Sequence, residues 1–445
     1  MRRLVLINPS AQAFNLARQG FNVQPLNLAY LAAITPPNWR IEICDENLEP
    51  APEALEADLV GITTLTATAG RAYELAARYR ALGIPVVLGG IHASMVPEEA
   101  SAHADAIVVG EAESVWPRLL EDLVRGALAS IYRGTRGPLE RRLFPRRDLF
   151  PGSYLFGSIQ TSRGCPLDCE FCSVKAFNGP GVRYRAVEDV LDELATIPER
   201  LVFFTDDNLV GYGREARERA KRIFQGMIDR RMHKHWFCQS SLNFADDEEL
   251  LRLAAQSGCI LVLIGIESVD EKVLRGTMKK GINAKRGTRY YRELIRKLHR
   301  YRIAVIGNMI FGNDEAGPDE FDAAAWFNLI SGLDVPWPGL LTPYPGTRLS
   351  QRLSAEKRIL FENYPADWSK YNTTVVIRPK NYAPDELVTR FKEFARRSYS
   401  LPNILLRTAR SLAYSRSLKR SVLVYNLNAS LARRFDEGFL YPAEL

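Results

Sequence analysis

Three cysteines carry the clearest chemistry in this chain of 445 residues. They lie in Thr161-Ser-Arg-Gly-Cys165-Pro-Leu-Asp-Cys169-Glu-Phe-Cys172, a C-x-x-x-C-x-x-C spacing. Three thiolates this close can hold three irons of a four-iron cluster and leave the fourth iron open to an incoming ligand. Gly164 and Pro166 favour an irregular loop able to wrap such a group. Arg163 and Lys175 are positive and would favour deprotonated sulfurs. A zinc knuckle would need a fourth ligand. No His or Cys lies close by, and the next cysteine is Cys238. Cys44, Cys238 and Cys259 sit on or beside apolar strand-like stretches and read as small buried hydrophobes.

The elements that must position these residues alternate in type. The cysteine loop follows a strand-like Gly157 to Thr161. Further strands are expected at 201–205, 235–239, 260–266, 303–311 and 339–341, with helices such as 187–197, 246–257 and 290–301 between them. These make six βα units. Polar residues gather at their carboxyl ends: Asp206-Asp207-Asn208, Ser240-Ser241, Glu267-Ser268 and Gly312-Asn313-Asp314. Barrel active sites sit at such ends, although a helix cap would use the same residue types. Upstream, short strands at 4–7, 40–44, 59–63, 85–88 and 106–109 alternate with helices, which implies a doubly wound parallel sheet. Ligands of such sheets sit beyond the carboxyl ends. Those ends carry Asn8-Pro9, Asp45, Thr63-Thr64, Gly89-Gly90-Ile91-His92 and Gly110-Glu111-Ala112-Glu113. The glycines would let a bulky ligand approach the backbone, or would only close tight turns. No G-x-G-x-x-G follows the first strand. Gly276-Thr-Met-Lys-Lys-Gly281 has phosphate-loop spacing, but Ile282 stands where Lys is required.

Composition bounds the remaining choices. The chain is 46% hydrophobic and 25% charged, which excludes a disordered or collagen-like protein. Its length suffices for more than one core, at roughly 100–200 residues per domain. No apolar run approaches the roughly 18 residues of a membrane helix. The Leu-Val-Leu-Ile run before Asn8-Pro9 is too short for a signal peptide, so the expected compartment is the reducing cytoplasm. The net charge of +7 is local: Phe394 to Phe435 holds nine basic and no acidic residues, so the rest of the chain sums to −2. An amphipathic helix is expected at 385–398. Beyond Pro402, leucines and tyrosines mix with arginines. That pattern suits basic helices lying on an anionic membrane at its inner face, or helices packed on the barrel with their arginines in water. Nucleic acid is not expected, because the basic segment has no recognised binding motif. The expected domains are 1–132, a linker at 133–156, a barrel at 157–347 and a helical region with a basic tail at 348–445.

The Cys165/Cys169/Cys172 motif, with Phe171 before its last cysteine, resembles the radical S-adenosylmethionine (SAM) superfamily. Val60-Gly-Ile-Thr63, Gly89-Gly-Ile-His92 and Val109-Gly-Glu-Ala-Glu113 resemble the cobalamin (B12)-binding domain that one branch carries at its N-terminus. The likeness covers about residues 1–350. It implies a Rossmann-like cobalamin domain followed by a partial TIM-like (β/α)6 barrel. It implies a [4Fe-4S] cluster on the three cysteines, with SAM held near Phe171, Asp206, Asp207, Asn208, Ser240 and Glu267. Cobalamin would be held near Asn8, Thr63, Thr64, Gly89, Gly90, His92, Gly110 and Glu111. The D-x-H-x-x-G motif of base-replacing cobalamin proteins is absent: its place reads Asn8-Pro-Ser-Ala-Gln-Ala13. Base-off cobalamin with no histidine ligand is therefore implied. Arg185 matches a motif common after the cluster loop. The implied reaction is methyl transfer to an unactivated carbon of a natural product or lipid through a 5′-deoxyadenosyl radical. A one-electron reductant such as flavodoxin or ferredoxin would drive it. The same cofactors also serve rearrangement, cyclisation or ring contraction. A cobalamin sensor or carrier with a vestigial cluster is a third reading, opposed by the intact cysteines. A methylthio-transferring enzyme would carry more N-terminal cysteines than Cys44. No catalytic acid or base is assigned, and Tyr184, Tyr344 and Tyr371 are the candidates.

Overall fold

Short, near-continuous apolar strands build two parallel sheets, one after the other. The computed structural model describes residues 1–10, 22–139, 143–152, 154–276, 282–372 and 374–436. The Gly276–Gly281 stretch singled out above thus lies outside the described residues from 277 onward, as do Ala11 to Ala13.

The first sheet contains β1 (Arg2–Asn8), β2 (Trp39–Asp45), β3 (Leu59–Thr63), β4 (Val86–Gly89), β5 (Ala106–Val109) and β6 (Ile131–Arg133). Its order is β2-β1-β3-β4-β5-β6, all parallel. Both faces are buried, as parallel sheets require. On β1, Val5 and Ile7 enter one core, and Leu4 and Leu6 enter the other. The first core is closed by α2 (Ala69–Ala81), α3 (Ile91–Met95) and α4 (Pro97–Ala102), the second by α1 (Leu26–Ala33) and α5 (Trp116–Val124). Alanines at 69, 72 and 76 let α2 lie close to the strands. The strand order reverses direction at β1, so the crevice for a ligand opens at the carboxyl ends of β1 and β3. The sixth strand was not among the five expected. Only Tyr132 of its three residues is buried, so it has no apolar run to announce it.

The second sheet runs in the order β7-β10-β11-β12-β13-β14. It contains β7 (Gly157–Ile159), β10 (Leu201–Phe204), β11 (His235–Ser240), β12 (Cys259–Glu267), β13 (Ala304–Phe311) and β14 (Val335–Leu340). A small antiparallel pair, β8 (Ser162–Arg163) and β9 (Arg183–Tyr184), frames the cysteine loop and α6 (Ser173–Asn178). The helices of the barrel are α7 (Val187–Thr196), α8 (Arg214–Asp229), α9 (Glu248–Gln256), α10 (Glu271–Gly276), α11 (Ile282–Arg300) and α12 (Glu320–Ile330). Val202, Phe204, Trp236, Cys238, Val262, Ile264 and Val305 point out to these helices. By the two-residue period of a strand, the intervening Leu261, Ala304 and Ile306 point inward.

Those inward residues meet the C-terminal segment, which is not a free tail. Ala395 and Tyr399 of α14 (Pro384–Ser398) and its margin, Ile404 of α15 (Leu401–Ser415), and Val424, Leu427 and Leu431 of α16 (Leu418–Asp436) pack on them. Before these helices, α13 (Arg348–Ala355) and the stretch to Ile377 return to the first sheet. Leu349, Leu353, Trp368, Tyr371, Val376 and Ile377 join its α2-side core. Trp368 also donates its indole N–H to Glu99 at 2.9 Å.

Asp334 pins the C-terminal helices to the barrel. It is almost wholly buried and accepts bonds from Val305 N (2.8 Å), His299 Nε2 (2.8 Å) and Tyr414 Oη (2.9 Å). Its backbone carbonyl accepts from Asn428 Nδ2, whose Oδ1 accepts from the buried Arg407. Asp334→Ala leaves Val305 N, His299 and Tyr414 without their acceptor and is expected to cost about 2–4 kcal/mol. Denaturant titration checks the loss, and limited proteolysis should then cut first within α15 and α16.

Candidate functional site

The cysteine loop is held at its root by a buried carboxylate. Asp206, at the carboxyl end of β10, accepts from Thr161 N (3.1 Å), from Thr161 Oγ1 (2.8 Å) and from Ser162 Oγ. Burial pushes its carboxyl above the ordinary range, while these donors pull the other way. Arg219 of α8 donates to Thr161 O at 2.8 Å and stacks over the Tyr184 ring at 4.8 Å. Gly164 then turns with φ +96°, and a Cβ there would meet Gly181 O at 2.6 Å. Cys165, Cys169 and Cys172 follow, all partly exposed. Among the described residues no three His, Cys, Asp or Glu side chains converge as a single-ion site would require. A cluster instead spreads its thiolates over separate irons.

The two cations expected to activate the sulfurs are committed elsewhere. Arg163 pairs with Glu113 at 2.5 Å and Glu111 at 3.3 Å, and Lys175 pairs with Asp168 at 2.7 Å. Burial, with the other two thiols beside it, pushes the Cys172 thiol up to about 12. The thiolates would thus be formed by iron binding, with proton release. Phe171 is half-buried within the loop. Its ring packs between the barrel core and the α13 side of the first-sheet core, and it lines a small cleft with Asn313, Leu341 and Leu349.

A cavity of about 430 Å³ opens between the two sheets. One end is a slot with Gly61, Val87, Val108 and Gly89 on the strand side and Leu28, Leu31, Ile34 and Trp116 on the helix side. The other end reaches Gln160, Arg163, Thr205 and Asp207 at the barrel mouth. Thr63, Gly90, Gly110 and Glu111 line the passage. Gly90 has φ +99°, and a Cβ there would meet Thr64 O at 2.7 Å. This shape fits a flat macrocycle lying on the strand ends with a nucleotide tail in the slot, so cobalamin is compatible with these residues.

Other expected cobalamin contacts lie elsewhere. His92 is completely buried; its Nδ1 is 3.3 Å from Thr66 Oγ1, its Nε2 is 3.4 Å from Glu99, and its ring meets Trp368 edge-on. Thr64 is also completely buried, its hydroxyl donating to Gly89 O at 2.7 Å. Asn8 donates to Asp45 at 2.9 Å. None of the three lines the cavity. Glu111 does, but its carboxylate is shared by Arg163 and Arg183 of the barrel.

At the barrel mouth the polar residues divide in role. Asp206 is completely buried and serves the loop, which removes it from the expected SAM contacts. Asp207 faces the cavity and accepts from Gly164 N at 3.3 Å; burial and the neighbouring Asp206 push its carboxyl up to about 6. Asn208 donates to Ser241 Oγ at 3.0 Å and accepts from Ser240 Oγ at 3.3 Å, so both expected residues form one network. Glu267 ends β12 with φ +68°, where the register with β13 shifts. Across from Gly265, one register step before that shift, Asn308 on the inward parity of β13 keeps a buried Oδ1 with no hydrogen-bond partner. That atom and Glu267 suit the amino and hydroxyl groups of SAM. Asn308, Gln160 and Arg183 were missed in the sequence. The signal for Asn308 was there: one amide at an inward position of an otherwise apolar strand. Tyr371 is buried against Tyr364 in the first-sheet core, outside the cavity lining.

Family models described as the radical SAM superfamily and the B12 binding domain match residues 159–325 and 13–120. A bacteriochlorophyllide d C-12(1)-methyltransferase of Chlorobaculum tepidum is 30% identical over 428 residues, covering 91% of this chain and 89% of that protein. A hopanoid C-2 methylase of Rhodopseudomonas palustris is 26% identical, covering 88% and 74%. The structure of the radical SAM methyltransferase TsrM from Kitasatospora setae, with cobalamin and a [4Fe-4S] cluster bound, superposes with a TM-score of 0.68 at 16% identity, covering 98% and 99%.

Gly89 offers a clean test of the cavity, because an added Cβ would meet only Val108 at 3.8 Å. Gly89→Leu should fold normally, fill the slot and weaken cobalamin binding at least about tenfold, on the scale of a side chain excluded by close packing. Cobalamin absorbance after gel filtration measures it.

Proposed function

We propose, from the premise that this chain belongs to the B12-binding radical SAM family of methyltransferases, that it methylates an unactivated carbon of a large, rigid, apolar molecule. It is a B12-dependent radical SAM enzyme whose cofactors are a [4Fe-4S] cluster, SAM and cobalamin. When bound, cobalamin supplies a methyl carrier, and cluster-bound SAM supplies a radical able to abstract hydrogen. The observation that carries the reading is the single cavity that joins the glycine-lined strand ends to the mouth beside the cysteine loop.

The protein's part is positioning and exclusion. Cys165, Cys169 and Cys172 would hold the cluster. Glu267, Asn308 and Asp207 would orient SAM, and Thr63, Gly89, Gly90 and Gly110 would let the macrocycle lie on the backbone. Arg163 and Arg183 tie the barrel to Glu111 and Glu113, so both halves of the site keep one spacing. The C-terminal helices close the lower end of the lumen, which leaves the mouth as the entry for substrate.

The relatives act on a bacteriochlorophyllide and a hopanoid, which supports an apolar polycyclic substrate here. A small acidic reductant of the flavodoxin or ferredoxin type is part of this reading. So is peripheral attachment to an anionic membrane from the cytoplasmic side. Among the described residues no helix is long and apolar enough to cross a membrane.

The test uses anaerobically reconstituted protein with cobalamin, SAM, a strong reductant and a bacteriochlorophyllide or hopanoid precursor. Methylation yields S-adenosylhomocysteine and 5′-deoxyadenosine together, with a product one CH2 heavier. Cys172→Ala should abolish 5′-deoxyadenosine. Turnover to an isomeric product without S-adenosylhomocysteine would contradict methyl transfer and favour rearrangement.

A further inference from the structure

The outward faces of the last two helices carry successive exposed apolar side chains. On α15, Leu401, Leu405 and Leu412 follow one another at helical spacing; on α16, Leu418, Val422 and Tyr425 do the same. Each of the six keeps between 39% and 70% of its surface exposed. These are not the core stripes of the helices. The core side of α15 is Ile404, Arg407, Ser411 and Ser415, and Val424, Leu427 and Leu431 of α16 face the barrel. Each helix therefore has two faces that avoid water, and only one is covered among the described residues. An ordinary surface helix has a polar outer face. Here α8 follows that rule, with Lys221 pairing with Glu218, Asp247 and Glu249.

Charge says what would cover the second face. No acidic residue occurs between Phe394 and Phe435. Four of the nine basic residues are turned inward or onto backbone carbonyls. Arg407 and Arg434 are buried, Arg410 donates to Leu329 O, and Arg420 donates to Arg302 O. Arg396, Arg416, Lys419 and Arg433 are exposed and form no ion pair among the described residues. Arg416 caps α15 in the left-handed conformation, at the turn flanked by Leu412 and Leu418. Leucine, valine and tyrosine beside unpaired cations suit a surface with an apolar interior and anionic headgroups, where long basic side chains reach back to the phosphates. A second copy of this chain suits the face poorly, because an isologous contact would set the same cations against themselves.

We propose that α15 and α16 form a docking hairpin that inserts Leu401, Leu405, Leu412, Leu418, Val422 and Tyr425 into the interface of an anionic bilayer. Arg396, Arg416, Lys419 and Arg433 then lie at its headgroups. The proposal gives the attachment part of the reading above its surface and is independent of the reaction catalysed. The same helices plug the barrel, so docking fixes the orientation of the active-site barrel relative to the lipid.

Flotation of the full-length, cofactor-loaded protein tests this, with vesicles of phosphatidylcholine alone or mixed with phosphatidylglycerol. The wild type should float with the mixed vesicles at low salt, and less at high salt or with phosphatidylcholine alone. Leu405→Glu/Leu418→Glu should lower the bound fraction at least about tenfold, and Arg416→Gln/Lys419→Gln should lower it severalfold. Both variants should keep wild-type cluster and cobalamin spectra and reductive SAM cleavage in detergent-free solution, which separates docking from catalysis. Absence of flotation with anionic vesicles overturns the proposal, and so does wild-type flotation by the Glu variant. A concentration-dependent dimer in sedimentation, dissolved by the same Glu variant, overturns it in favour of a second copy.

Discussion

Ion pairs across the seam between two sheets are the constraint on which this site depends. Arg163, two residues before the first cysteine, reaches Glu113 and Glu111 on the loop after β5. Arg183, on the strand paired with β8, reaches Glu111 from the other side. The carboxylates belong to the cobalamin half and the guanidiniums to the cluster half. Two cofactors that must cooperate at one substrate carbon need a spacing fixed to a fraction of an ångström. Buried or half-buried charges that are stable only when paired supply such a constraint, because separating the halves would strand each of them.

The seam is wider than these pairs. Gln24 accepts from Ser158 N at 2.9 Å and donates to Glu199 at 2.9 Å, and Tyr154 donates to Asp45 at 2.8 Å. Arg185 pairs with Glu193 at 2.5 Å and donates to Tyr30 Oη at 3.1 Å. The matching family motif at Arg185 is therefore a structural tie between barrel and first domain. Trp368 and Glu99 make a third attachment from the C-terminal side. The fold thus surrounds the first sheet with chain from both its own helices and the segment after the barrel. This explains how a short sheet with glycine-rich ends holds its shape around a large cavity.

Much of this was legible in the residues. Short apolar runs ended by glycine or polar residues located ten of the twelve strands in the two large sheets; the run expected at 339–341 meets only the end of β14 (Val335–Leu340), whose Pro336 and Pro338 masked its start, and the cysteine spacing located the loop at the barrel mouth. What stayed hidden was partnership. Arg163 and Lys175 looked like activators of the thiols because they are near in sequence, yet carboxylates distant in sequence claim Arg163. Asp206 and Asp207 are adjacent and chemically identical. Only strand parity, with the depth of each carboxyl, makes one a buried clamp and the other a cavity wall. His92, expected near cobalamin from its place after a strand end, is instead enclosed by a wall, Trp368, that arrives from far along the chain. The basic tail was legible as charge, and helices packed on the barrel were one of its two readings; which residues of those helices face the barrel was not legible.

The central claim is that the three cysteines hold a four-iron cluster with one iron open to SAM beside the cobalamin cavity. The direct measurement is iron and acid-labile sulfide content of the anaerobically reconstituted protein, with the electron paramagnetic resonance spectrum of its reduced form recorded with and without SAM. The expected result is about four irons and four sulfides per chain, with a signal that SAM alters and that Cys165→Ala removes. Stoichiometric zinc in place of iron, or a cluster signal indifferent to SAM, would contradict the account.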